Sequence, residues 1–560
     1  MNTLTICRNC SQNFTITDEE KLFIGKISPS YSGVKYQIPI PELCPNCRLT
    51  LRTAQRNEQY LYRNKSALSG KPLISLYSQN TEWGKNLKIY DYNEWWSDSF
   101  DGMSYGRDFD FNRPFFEQFA ELFKEVPLVN LMQLNNENSP FTTGTAYCKN
   151  CHIINCSENC QDCYYGKLIQ NSRDVMDSDY VYDSELLYEC FNVRNGYNSK
   201  YLLNSQNCRD CYFSDNLKGC SDCFLCTNLS NKQYHVLNKP LNKEQYEAYI
   251  KDYLGSHINT EKAKQVLEDL RKKRVYKYAQ IINSESCTGD FLINCKNCTE
   301  SYDMNDSQDC KYVTVGVNVK DLMDCSNMYL KPELNYQVLG TIGTYNIIFS
   351  LYIFHTQNTA YSQYCFNSNN LFGCCGLKKN EYCILNKQYS RDDYEKMCGR
   401  IVEHMKRTGE WGKFFPISLS PFGYNETVAQ EYLPISKEQA LSRGYKWKDS
   451  EEKVIVPQTF SVPDNIKDSP NDILDKMLAC ESCGKNYKII TQELARLRQM
   501  KMPIPHICPD CRHLNRMTMR NPRKLCERLC GKCSTKITTT FSPERKENVY
   551  CEACYLKDVY

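Results

Sequence analysis

Residues 44–78 align without a gap onto residues 508–542, so one cysteine-bearing module occurs near both ends of the chain. In the later copy Cys508-Pro-Asp-Cys511 is followed by Arg512, Arg516, Arg520, Asn521 and Leu525, then by Cys530-Gly-Lys-Cys533. In the earlier copy Cys44-Pro-Asn-Cys47 is followed by Arg48, Arg52, Arg56, Asn57 and Leu61, then by Ser66-Ala-Leu-Ser69. Cys551 and Cys554 correspond, after a four-residue length difference, to Asp91 and Glu94.

A two-residue spacer lets a tight turn aim two thiolates at one cation, and two such knuckles make a tetrahedral zinc site. Three sites are therefore expected: Cys7, Cys10, Cys44 and Cys47; Cys480, Cys483, Cys508 and Cys511; and Cys530, Cys533, Cys551 and Cys554. The cofactor is Zn2+ in about three structural sites. At the fourth position Ser66, Ser69, Asp91 and Glu94 offer hard oxygens, which suit structural zinc poorly. A ribbon-shaped remnant held by packing of Tyr90, Trp95 and Trp96 is expected there.

Thirty-four cysteines without a basic and apolar export signal imply a reducing, cytoplasmic setting. The most apolar stretch, Tyr345 to Phe354, is too short to cross a bilayer. Net charge is +3, but residues 480–560 carry 16 Lys+Arg against 8 Asp+Glu. Arg512, Arg516 and Arg520 fall at i, i+4 and i+8, and Arg523, Lys524 and Arg528 prolong the basic character. Such a helix could meet nucleic-acid phosphates, or be a solvated face paired with acids such as those of Glu82 to Glu125.

A second duplication lies between the ribbons. Cys226, Leu229, Leu237-Asn-Lys239 and Tyr246-Glu247 match Cys374, Leu377, Leu385-Asn-Lys387 and Tyr394-Glu395 at one offset of 148 residues. Each half is expected to end in a helix capped near Asn242 or Ser390. The helical stretch Glu261 to Tyr278 has no counterpart and reads as a surface addition or partner-binding arm. Before each helix, cysteines and aromatics recur with turn residues, as in Asp162-Cys-Tyr164, Asp210-Cys-Tyr212 and Asp222-Cys-Phe224. Small or flat residues that can stack in layers point to an irregular β-helix. Cys190 to Cys211 spans 21 residues but Cys211 to Cys223 only 12, so no single period is evident.

Other readings of the central cysteines stay open. Cys148-Lys-Asn-Cys151-His152 spells a haem c attachment pattern, and Cys220, Cys223 and Cys226 resemble part of an iron–sulfur site. Against these, interior cysteines can act as small hydrophobes. No residues stand out for catalysis: the seven histidines (152, 235, 257, 355, 404, 506 and 513) form no HExxH, and no GxSxG or phosphate loop occurs. His506 and His513 are expected at surface or phosphate-facing positions, and Asp108 and Asp110 in a helix-entry segment before Glu117 to Phe123.

The strings Tyr105-Gly-Arg-Asp-Phe-Asp-Phe111, Arg113-Pro-Phe-Phe-Glu-Gln118, Ile384-Leu-Asn-Lys-Gln-Tyr389, Ser420-Pro-Phe-Gly-Tyr-Asn-Glu426 and Arg520-Asn-Pro-Arg-Lys524 run through most of the chain. On them the chain resembles an uncharacterised bacterial family of multi-zinc-ribbon, cysteine-rich proteins from reduced-genome lineages. The resemblance implies zinc binding and brings no recognised catalytic residues. It also implies cysteines in the second ribbon, where this chain has Ser66 and Ser69.

The expected fold is mainly β, with zinc ribbons at both ends of an irregular Cys/aromatic-rich β-solenoid and short amphipathic helices. The expected segments are a zinc ribbon with basic helix (1–64), a degenerate ribbon (65–104), a helical connector (105–147), a solenoid half with a helical insertion at 242–279 (148–286) and a second solenoid half (287–410). A linker (411–475), a zinc ribbon with basic helix (476–525) and a last ribbon (526–560) follow. The expected role is that of a non-enzymatic, cytoplasmic, zinc-binding scaffold without a membrane partner, engaging nucleic acid or an acidic protein through Arg512, Arg516, Arg520, Arg523 and Lys524. Redox or metal-cluster chemistry at the central cysteines and homo-oligomeric assembly are the alternatives.

Overall fold

The computed structural model describes residues 2–251, 253–449 and 455–559. The chain divides into two compact units assembled from non-adjacent segments: Met1–Asn130 with Ala279–Asp449 and Pro522–Leu525, and Leu131–Tyr278 with Ser450–Asn521 and Cys526–Tyr560. Each unit contains one parallel β-solenoid and two ribbon modules.

The solenoid has a period after all. In the second unit successive strands pair at an offset of twelve residues, as in Tyr197↔Arg209, Arg209↔Ser221 and Ser221↔Gln233. From Gly144 to Leu237 every third residue has a positive φ, so each twelve-residue coil bends four times. The first unit repeats this from Phe291 to Leu330 and from Leu334 to Leu385. An extra residue at Leu330–Lys331 lengthens one coil, so that Lys320 pairs with Glu333. Side chains with a Cβ disfavour this left-handed conformation by about 1–2 kcal/mol each. Asn and Asp tolerate it best, and here they stack in ladders: Asn159 Nδ2 donates to Asn171 Oδ1 and Asn171 Nδ2 to Asp183 Oδ1, both at 3.1 Å.

The residue after each left-handed corner points inward. Cys148, Cys151, Ile154, Cys160, Cys163, Ile169, Val175, Val181, Leu187, Cys190, Val193 and Leu202 line the core in steps of three or its multiples. Cys190, Cys211 and Cys223 obey the same rule, because 21 and 12 are both multiples of three. Inward serines solve a hydrogen-bonding problem in this narrow interior. Ser214 Oγ donates to Tyr212 O at 2.9 Å and accepts from Cys226 N, one coil onward, at 3.0 Å. The same arrangement recurs at Ser178 and Ser350.

Helices close each solenoid where the sequence placed them. Asn242 caps Lys243–Ile250 with a capping box, and Ser390 caps Arg391–Thr408. The insertion is a helix over His257–Lys273 followed by the strand Val275–Lys277. It does not project as an arm: Ala263 and Leu267 are buried, and Arg271 and Arg274 both reach Asp215 of the solenoid, at 3.0 and 3.1 Å. Tyr345–Phe354 is a solenoid strand. Among the described residues no helix is long and apolar enough to cross a membrane. The described part of 411–449 is folded, with Tyr424, Ala429, Ala440 and Tyr445 packed on Ala54. Residues 450–454 of the expected linker lie outside the described residues.

Replacing Ser214 by Ala leaves the Cys226 N–H without an acceptor in a dry core, and should destabilise the second unit by about 1–3 kcal/mol in chemical denaturation. The same change at Ser221, on an outward strand position, should stay within about 0.5 kcal/mol. Equal effects at both sites would contradict the inward role of serine.

Candidate metal centres

Three groups of four cysteines converge, and they are the three expected: Cys7, Cys10, Cys44 and Cys47; Cys480, Cys483, Cys508 and Cys511; Cys530, Cys533, Cys551 and Cys554. Within each group all four sulfurs lie within 4.8 Å of one another. A tetrahedron of ~2.3 Å zinc–sulfur bonds has edges of about 3.8 Å. The Sγ–Sγ distances are 3.7 Å for Cys10–Cys44, 3.8 Å for Cys483–Cys508 and 3.7 Å for Cys533–Cys551.

The three sites share one construction. The first knuckle turns the tip of a hairpin, such as Thr3–Ile6 with Asn13–Ile16 or Cys526–Leu529 with Lys536–Thr539. The second opens a helix, so that Cys44 and Cys508 are the N-cap residues of Pro45–Thr53 and Pro509–Met517. Backbone N–H groups point at the sulfurs: Cys44 N donates to Cys7 Sγ at 3.3 Å, while Cys508 N and Cys551 N donate to Cys480 Sγ and Cys530 Sγ at 3.2 Å. Such bonds favour the thiolate that a metal requires. The Cys47 thiol, donating to Cys44, holds the Cys44 thiol down at about 5.

The fourth ribbon keeps the shape and changes the chemistry. Tyr62–Lys65 and Pro72–Ser75 form the hairpin, and Asp91 caps the short helix Tyr92–Trp96. The Glu94 carboxylate accepts from Ser66 Oγ and from Asp91 N, joining with hydrogen bonds the positions that carry cysteine in the last ribbon. Packing adds to this: Trp95 is fully buried, donates to Pro127 O at 3.0 Å and meets Phe366 edge-on. Tyr90 packs edge-on against Phe100.

Of the two readings of the arginine stripe, pairing with acids is the one the geometry favours, although the acids are solenoid residues and the pairs are buried. Arg512 and Arg516 are 1% exposed and enter solenoid corners of the second unit. Arg512 Nε meets Asp177 Oδ1 at 2.9 Å, and its Nη2 meets Glu493 Oε1 at 2.9 Å. Arg516 Nε meets Asp179 Oδ2 at 2.9 Å, its Nη1 meets Asp177 Oδ1 at 3.3 Å and its Nη2 donates to Tyr165 O at 3.0 Å. Arg520 stacks over Tyr180, and Arg523 is buried with Nη2 at 2.8 Å from Asp303. Of the five proposed contacts only Lys524 is exposed. Of the two histidines expected at the surface, His513 is instead buried 3.7 Å from Asp179, while His506 is half-buried, meets the exposed Glu481 at 2.8 Å and stacks on His257.

In the first unit the earlier module does the same. Arg48 Nε meets Asp324 Oδ2 at 2.8 Å, and Arg52 Nη1 meets Asp324 Oδ1 at 3.3 Å. Arg48 lies over Tyr312 at 5.3 Å as Arg512 lies over Tyr165 at 5.2 Å. The acidic partners Asp177, Asp179 and Asp324 were missed. Their signal was present, since Asp177-Ser-Asp179 and Asp324-Cys-Ser326 occupy matching corners of the duplicated solenoid.

The central cysteines form no further converging group among the described residues. Cys148 and Cys151 of the haem-like motif, and Cys220, Cys223 and Cys226, are successive inward positions of the three-residue repeat. Their thiols approach backbone carbonyls, as Cys151 Sγ does Lys149 O at 3.3 Å. Asp108 pairs with Lys387 at 2.6 Å, and Asp110 accepts from Asn112 N ahead of the helix Phe115–Glu125, which fits an entry segment.

No protein-family model matches the chain, and no curated protein matches it. A crystal structure of a protein from Desulfovibrio desulfuricans G20, described as an acetyltransferase, aligns with 41% of this chain and 62% of that chain at 9% identity and a TM-score of 0.12. This chain thus spans less than two thirds of that protein, and a superposition at that score establishes neither a shared fold nor a shared activity.

Removing one partner of a buried ion pair strands the other charge. Asp177→Ala should therefore destabilise the second unit by about 3–5 kcal/mol, read from chemical denaturation of the zinc-loaded protein. A change of 1 kcal/mol or less would show that the pairs are dispensable.

Proposed function

We propose that the protein is a non-enzymatic scaffold in which structural zinc shapes ribbon modules that are docked on β-solenoids. The observation that carries this reading is the repeated docking geometry: in each unit a helix that begins at two cysteines of a tetrad sends two arginines, one helical turn apart, onto a solenoid aspartate. Zinc suits the sites because all four donors are soft thiolates at tetrahedral spacing, leaving no open coordination position for catalysis. The buried arginines serve the fold, so a nucleic-acid role is no longer supported by Arg512, Arg516 and Arg523.

The redox alternative loses its main support as well. A cluster needs several convergent thiolates, whereas the central cysteines adjoin one another along the solenoid stack and approach carbonyl oxygens, with no tetrad among the described residues.

Elemental mass spectrometry of protein purified without added metal, with a visible spectrum, tests the reading. About three zinc per chain and no iron are expected, and Cys511→Ser should reduce the zinc content by one. Iron with charge-transfer absorption, or clearly more than three metal ions, would overturn it in favour of ligation by the central cysteines.

A further inference from the structure

The two docking sites are copies of one device, and they differ in one respect. Tyr165, Asp177 and Asp179 of the second unit correspond to Tyr312, Asp324 and Ser326 of the first, each 147 residues apart. After the extra residue at Leu330–Lys331 the offset becomes 148, and Glu189 corresponds to Gln337. At this corner of the first unit, Arg48 and Arg52 therefore share a single corner carboxylate, Asp324.

The consequence is visible atom by atom. In the second unit each of the six guanidinium nitrogens of Arg512 and Arg516 has an acceptor, namely Asp177, Asp179, Glu493, Ile507 O and Tyr165 O. In the first unit Arg48 Nη2, Arg52 Nε and Arg52 Nη2 have none, and neither has Gln55 Nε2. These are fully enclosed groups: Arg48 and Gln55 are 2% exposed and Arg52 is 0%. Arg52 Nε is the counterpart of the nitrogen that meets Asp179 in the other copy, and it is orphaned because position 326 is serine. Ser326 Oγ is occupied with Thr314 at 2.8 Å. Of the nearby carboxylates, Glu20 is committed to Lys311 at 3.3 Å and to its own helix cap and Glu58 to Arg56, while Glu300 attracts Arg48 from an exposed position and hydrogen-bonds to neither arginine. Burial pushes the Arg52 guanidinium below its usual range, whereas Arg516, equally buried, is raised because Asp179, Glu189 and Asp177 outweigh the burial.

We infer that the first unit binds a small monovalent inorganic anion, of the size of chloride, against Arg52 and Arg48 where the second unit uses the carboxylate of Asp179. A buried guanidinium donor without an acceptor costs more than an ordinary unmade hydrogen bond, and an anion can supply several acceptor directions at once. The inference does not depend on the scaffold reading.

Crystals of the full zinc-loaded chain soaked in sodium bromide provide the test, with thermal midpoints measured in chloride and in gluconate at equal ionic strength. An anomalous bromine peak beside Arg52, with a higher midpoint in chloride, is the expected result. Ser326→Asp, which supplies the missing carboxylate, should abolish the peak and the chloride dependence. Should that variant fail to fold, Arg52→Gln should abolish both as well. No bromine peak at Arg52 in the soaked wild-type crystal, or equal midpoints in the two salts, would overturn the proposal.

Discussion

The arginine–aspartate pair at a solenoid corner holds the solenoid of each unit to a ribbon of that unit, and its burial sets the terms for the residues around it. A buried pair gains little net stability over an apolar contact of the same shape, yet losing one partner is severe. It therefore acts mainly as a register mark. Arg512 and Arg516 fit the second-unit solenoid only where Asp177 and Asp179 stand at one corner. The cysteine tetrad supplies the other half of the constraint. A ribbon is too small to bury a core of its own, and a structural zinc contributes on the order of 10 kcal/mol to folding a module of that size. With Cys508 and Cys511 fixed at the start of the helix, the arginines one and two turns along are aimed before they reach the solenoid.

The solenoid accepts such anchors because its corners are chemically varied while its interior is not. Only one residue in three faces inward, so mostly small or aliphatic residues such as Cys, Ser, Val, Leu, Ile and Met fill a narrow core, and the corner residues are free to differ. The left-handed corners are locally unfavourable for most L-residues, and they persist because parallel ladders and inward serine hydroxyls satisfy the backbone on both sides. This accounts for the frequency of cysteine in the solenoid interior: a thiol is small and apolar, and it tolerates a carbonyl neighbour.

Much of this was legible in the sequence. The cysteine tetrads followed from CxxC pairing alone, and the helix caps at Asn242 and Ser390 from local chemistry. The β-solenoid was legible as a type, but its period was not. The interval from Cys190 to Cys211 looked irregular against a search for one repeat length, and counting in threes would have unified it with the twelve-residue interval. The two readings of the arginines stayed open because charge patterning along one helix cannot show what lies across from it. Asp177 and Asp324 are distant in sequence, and only the fold brings them to the ribbons. The serines and acids of the fourth ribbon were legible as departures from the cysteine pattern, but their mutual hydrogen bonds depend on a hairpin and a helix meeting in space.

The central claim is that metal in a ribbon secures a solenoid surface that does not touch the metal. Hydrogen exchange of the full chain, zinc-loaded and after chelation, measures this directly. The account expects amides of the coil around Asp177–Tyr182 to lose protection together with the helix Pro509–Met517 when metal is removed. A coil that stays protected while that helix exchanges freely would contradict it.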